Sequence, residues 1–173
     1  MSHWYMLTLV GADKPGIVAN ITQTLFEADC NLGEASMNRL GGNFTVMVMI
    51  NTELSENAVK EKLALPCKEQ ELHFHIDKIE GKLHNHPVPD ISIAVSGADH
   101  AGIVAQVTNA LYKAGLDILD LNSDVAGSKE KPIYIFQIDG QARHGIKPLQ
   151  AAIIPFKEKG IDITLREIET MLG

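Results

Sequence analysis

The chain has 173 residues, enough for one ordinary domain or two small ones at roughly 100–200 residues per domain, and 45% hydrophobic with 21% charged residues suit it to burying a core. Its 22 acidic and 15 basic residues leave a net charge of −7, which argues against direct DNA binding, because that affinity comes from Lys and Arg displacing counterions. Neither a membrane span nor a signal peptide is legible, and two cysteines, Cys30 and Cys67, are too few for a disulfide framework or a zinc cluster; the expectation is a soluble cytoplasmic protein with reduced thiols.

Apolar residues alternate from Tyr5 to Val10, and their β-branched and aromatic content predicts a strand. A glycine-punctuated loop, Gly11 to Gly16, leads into Ile17, Val18, Ile21 and Leu25, the spacing of a helix that buries one face. Asp13 is placed to cap that helix and Pro15 to occupy its first turn. Two strand-like runs around Gly41-Gly42, the second from Phe44 to Ile50, predict a hairpin. Ser55 then caps a second helix carrying Val59 and Leu63, which Pro66 should kink or break. A final strand runs from Leu72 to Ile76.

The whole order then recurs. Gly11-Ala12-Asp13-Lys14-Pro15-Gly16-Ile17-Val18-Ala19 returns as Gly97-Ala98-Asp99-His100-Ala101-Gly102-Ile103-Val104-Ala105, 86 residues on. Thr22/Thr108, Leu25/Leu111 and Ala28/Ala114 keep that shift, whereas Pro66-Cys67-Lys68-Glu69 answers to Pro155-Phe156-Lys157-Glu158 at a shift of 89. About three residues are therefore inserted in the second copy, and the turn Gly41-Gly42-Asn43, replaced by Gly127-Ser128-Lys129-Glu130-Lys131-Pro132, is the expected place, because a longer exposed loop costs little. The second copy has strands at Ile91 to Val95, Ile133 to Ile138 and Ile161 to Ile168, a first helix through Ile103, Val107 and Leu111, and a second through Leu149, Ile153 and Phe156. The prediction is α+β: two tandem ferredoxin-like β-α-β-β-α-β domains, antiparallel sheets with helices on one face, at residues 1–81 and 90–173, joined by a polar, proline-bearing linker at 82–89.

The duplicated loop sits where a helix begins, and there the first-turn N–H groups and the macrodipole favour a carboxylate. Gly16 and Gly102 would let a ligand approach closely. The same residues also serve structure alone, with glycines ending a strand or relieving crowding and the aspartates capping.

With its β-α-β-β-α-β order, the Asp13-Lys14-Pro15-Gly16-Ile17-Val18 loop and the degenerate Asp99-His100-Ala101-Gly102-Ile103-Val104 resemble the ACT domain, a regulatory module that typically binds amino acids. A short chain of two such domains is similar to the glycine cleavage system transcriptional repressor family, whose members act on a LysR-type activator rather than on DNA. The resemblance implies an amino-acid-responsive repressor, not an enzyme, with no metal and no cofactor beyond a small amino-acid effector such as glycine. It also implies side-by-side pairing of ACT domains, within a chain or as a homodimer, with ligand held between the first loop of one domain and the start of the second strand of its neighbour. The ligand-binding positions are then Asp13, Lys14, Gly16, Ile17, Asn31 and Leu32, and in the second copy Asp99, His100, Gly102, Ile103, Asp117 and Ile118. Asn31 is suited to donate to a carboxylate and Asp117 to receive an ammonium, so the two halves need not bind alike. The alternative is a ligand-free protein-interaction scaffold built from paired ACT domains.

Size limits affinity. Glycine has about five heavy atoms, and at most about −1.5 kcal/mol per atom gives a micromolar constant at best. Such a site senses concentration. Other constellations are weaker: His73/His75 share one face of a strand and His84/His86 lie in the linker, but each pair lacks a third metal ligand. Met37, Met47 and Met49 read as core or sheet-contact residues. Only three arginines and nine aromatics speak against an RNA-binding sheet, neither first loop carries the arginine that an acylphosphatase of this topology would need, and no nucleophile and base arrangement repeats.

Overall fold

A computed structural model of the chain describes residues 2–80, 87–98, 102–128 and 131–168. It divides into two compact units, Met1–His84 and Asn85–Gly173. The first contains β1 (His3–Ala12), α1 (Ile17–Glu27), β2 (Asn31–Leu40), β3 (Asn43–Thr52), α2 (Glu56–Glu69) and β4 (Leu72–Ile79), and the second repeats the order as β5 (Ile91–Ala98), α3 (Ile103–Lys113), β6 (Leu116–Ser128), β7 (Lys131–Ala142), α4 (Ile146–Glu158) and β8 (Asp162–Glu167). The sheets run β2-β3-β1-β4 and β6-β7-β5-β8 with antiparallel neighbours. The ferredoxin-like α+β class expected from the repeat is the fold observed.

Strand alternation and helical period meet in the core. Tyr5, Leu7 and Leu9 of β1 bury against Ile17, Ile21 and Leu25 of α1 and Val59, Leu63 and Cys67 of α2; Ile91, Ile93 and Val95 do the same with Val107, Leu111, Leu149 and Ile153 in the second unit. Val18, expected on the buried face of the first helix, is 47% exposed. It lies one residue past the buried Ile17, so the helical period turns it to the rim.

Three details differ from the reading of the sequence. Asp13 caps nothing: the helix begins at Ile17 behind Gly16, which takes φ 86° at the N-cap and leaves the helix without a side-chain cap, and Pro15 stands in the turn before it. Asp99 lies outside the described residues. Pro66 and Pro155 do not end their helices, which run on to Glu69 and Glu158; each proline falls in the final turns, where a lost N–H removes one bond. The inserted residues of the second copy do not bulge out as loop. They lengthen the hairpin, because β2 and β3 close on Leu40↔Asn43 whereas β6 and β7 continue in register to Ser128↔Lys131. The expected capping of α2 is seen, Ser55 Oγ accepting from the Ala58 N–H at 3.3 Å.

The outer linker residues 82–86, with His84 and His86, are outside the described part, as are His100, Lys129 and Glu130. His73 and His75 do share the exposed face of β4. The three methionines do not share one: Met37 lies opposite Val46 on the helix side, while Met47 and Met49 point to the other face, Met49 buried and Met47 half exposed. Among the described residues no group of three or more His, Cys, Asp or Glu side chains is arranged to hold a metal, and no helix is long and apolar enough to cross a membrane.

Candidate ligand-binding cleft

Gly16 and Gly102 take the same backbone geometry, φ 86° and 87°, at the N-caps of α1 and α3. The space around them is open, the nearest atom to a Cβ placed there being Asn20 Nδ2 at 4.0 Å for Gly16 and Gln106 Nε2 at 3.7 Å for Gly102. Glycine is therefore required by the left-handed backbone, which costs other residues roughly 1–2 kcal/mol, and not by crowding against the sheet. With glycine as cap, no side chain occupies the anion-attracting helix start.

In the first unit that start opens on a cleft of about 290 Å³ lined by Asp13, Lys14, Gly16, Ile17, Val18, Ala19, Met37, Arg39 and Phe44. Four of the expected site residues, Asp13, Lys14, Gly16 and Ile17, come together here. Arg39 and Glu71 complete the charge pattern and were not foreseen. Arg39 Nε lies 3.2 Å from Asp13 Oδ2, brought there because the hairpin register sets Arg39 opposite Phe44 beside the loop. Lys14 donates to Glu71 Oε2, and that hydrogen bond, reinforced by the ammonium charge, holds the Glu71 carboxyl below the usual carboxylate range. The four charges cancel, and the pairs are exposed enough to exchange with a ligand at little cost.

Asn31 does not join this cleft. It begins β2, beyond the other end of the 11-residue α1, about 16 Å of helix away. Leu32 instead lines a second, apolar cavity of about 110 Å³ along α1, in company with Ile17, Val18 and Phe44, which also line the polar cleft.

The second unit is unlike the first. Gly102 and buried Ile103 hold the positions of Gly16 and Ile17, while Asp99 and His100 are outside the described residues. Asp117 lies at the far end of α3 in a cleft of about 360 Å³ with Tyr112, Lys113, Arg143 and His144. It accepts from Arg143 Nη2 at 2.5 Å, a bond that also raises the pKa of the guanidinium. The carboxylate offered as an ammonium acceptor thus already has a cationic partner. Ile118 packs partly buried against the core.

Comparison with known proteins bears on the fold and the family. The family profile described as ACT domain matches residues 3–77. The chain is 36% identical over 72 residues to UPF0237 protein YjhC of Lactococcus lactis subsp. lactis (strain IL1403), a match spanning 41% of this chain and 83% of that protein. The chain belongs to the ACT-domain family. It is also 33% identical over 74 residues to the glycine cleavage system transcriptional repressor of Escherichia coli (strain K12), across 43% of this chain but only 38% of the repressor. A crystal structure of an unknown protein from Galdieria sulphuraria superposes with a TM-score of 0.77 at 20% identity, covering 98% of this chain and 100% of that one, so the tandem ACT fold extends over both units.

Proposed function

We propose that this ACT-domain protein is an amino-acid-responsive negative regulator of glycine cleavage system transcription that acts by binding a LysR-type activator. The observation that carries the reading is the cleft at the start of α1, where an uncapped helix N-terminus, Lys14 and Arg39 surround a space of amino-acid size. The relation to a repressor and to the ACT family supports it. A carboxylate would take the place of Glu71 or Asp13 on its cation, and the released acid would be available to the ligand's ammonium. The net charge of −7 favours a protein target over DNA. Binding transmits a signal only if the ligand prefers one arrangement of the protein over another.

The two ion pairs favour a second reading, because they satisfy both cations without any ligand: a scaffold whose ACT domains only present a surface, in the chain or as a homodimer. Capture of the activator from lysate by the immobilised full chain, with and without small amino acids, separates them. Regulation predicts that an amino acid changes capture and that the Lys14→Ala/Arg39→Ala chain is blind to it. A scaffold predicts the same capture throughout. Direct DNA binding would instead give a salt-dependent gel shift by the purified chain alone.

A further inference from the structure

The apolar cavity beneath α1 is a feature of the first unit. It is walled by Ile21 and Leu25 of α1 and by Leu9, Ala35 and Val46 of the sheet, and its rim is formed by Val18 and Leu32, 47% and 45% exposed. Pairing registers identify the counterparts in the second unit. Val46 lies opposite Leu9 as Phe136 lies opposite Val95, and Ala35 lies opposite Val48 as Leu121 lies opposite Ile138. The second unit therefore places a phenylalanine, 1% exposed, and a leucine where the first has valine and alanine. The same backbone carries both, so the space in the first unit follows from its small side chains and not from the fold.

We infer that this cavity is a side-chain pocket, and that the effector is an amino acid with an aliphatic side chain of about four carbons in place of glycine. The inference rests on the amino-acid reading of the polar cleft. The two spaces are continuous in their walls, sharing Ile17, Val18 and Phe44, so a ligand whose carboxylate meets the charged end can extend its side chain along α1. A volume of about 110 Å³ suits such a group, since a cavity of about 150 Å³ accommodates benzene. Glycine leaves the pocket empty, and charged side chains would enter it without a polar partner. In the second unit Phe136 and Leu121 take the corresponding positions, and the inference therefore assigns sensing to the first.

The test is a calorimetric titration of the full chain with leucine, isoleucine, valine and glycine. Trp4, the single tryptophan, gives a second readout from the far side of the pocket wall, since a Cβ on Gly33 would lie 2.9 Å from its ring. Each buried side-chain carbon should tighten binding about fourfold, placing leucine or isoleucine, with four, roughly two- to threehundredfold below glycine in Kd. Val46→Phe and, separately, Ala35→Leu transplant the residues the second unit already uses, and should bring leucine to the glycine level while leaving the unfolding midpoint no lower. Glycine binding with no gain for leucine, or a leucine preference that survives both variants, overturns the pocket while the polar cleft stands. Absence of binding by all four overturns both, and leaves a packing gap between helix and sheet.

Discussion

Gly11 and Gly97 occupy the same place in the two repeats, yet alanine should act oppositely at them. A Cβ on Gly11 would lie 2.8 Å from Leu72 Cδ2 and 2.9 Å from the Glu71 carbonyl oxygen. The leucine tip can move, but the carbonyl belongs to backbone already held at φ 57° at Glu71 and tied to Lys14, so the strands must shift. Overpacking of this kind costs about 1–3 kcal/mol. Among the described residues a Cβ on Gly97 meets nothing nearer than Ile103 and Ile161 carbons at 3.8 Å, ordinary contact, and a less flexible unfolded chain contributes about 0.4–1 kcal/mol in favour of alanine. That gain is common to both variants, so the two substitutions should differ by the overpacking alone, about 1–3 kcal/mol. Urea unfolding of Gly11→Ala followed by Trp4 fluorescence, at about 1–3 kcal/mol per molar, should show the first-unit midpoint falling by roughly 1 M, while amide signals of the second unit in Gly97→Ala show none. Equal shifts for the two variants would refute the contact argument.

Gly16→Ala and Gly102→Ala should each destabilise their own unit by about 1–2 kcal/mol through backbone conformation alone, with nearest contacts too distant to clash; a neutral melting curve would mean the helix start relaxes. Ser55→Ala removes the bond to Ala58 N–H and should lower first-unit stability by about 1 kcal/mol in thermal unfolding. Burial pushes the Cys67 thiol up to about 11, so in the folded protein it should react with a thiol reagent at pH 8 only as fast as the unit opens, and promptly in denaturant. Glu71 is held below its ordinary pKa by Lys14. Its contribution is present above the unfolded carboxylate pKa and is lost as pH falls through the lower folded value, and Lys14→Ala should move the Glu71 side-chain titration, followed by NMR, upward.

The repeat made the architecture legible because each local signal, alternation, helical spacing and glycine punctuation, occurs twice and agrees with the other copy. The loop was harder. Asp13 preceding an apolar helix has the pattern of a cap, but with Gly16 turning the backbone left-handed the helix starts too late for that side chain to reach it, and Arg39 takes it instead. That pairing depends on the register of β2 on β3, which nothing within the loop specifies. The repeat offset places the hairpin insertion in the right connection but does not give its form, since the added residues pair and lengthen β6 and β7. The cavity was hidden for a related reason. Ala35 answers to Leu121 at the shift of 86, but Val46 answers to Phe136 only at a shift of 90, which the strand pairing across the longer hairpin reveals and an alignment at 86 or 89 does not.

The central claim is that the loop before α1 binds an amino acid. Titration calorimetry of the full chain against leucine and glycine, beside the Lys14→Ala/Arg39→Ala chain, tests it most directly. Saturable binding at micromolar to millimolar concentration that the double variant loses is the predicted result; no heat from either amino acid at tens of millimolar, or binding that the double variant retains in full, would contradict it.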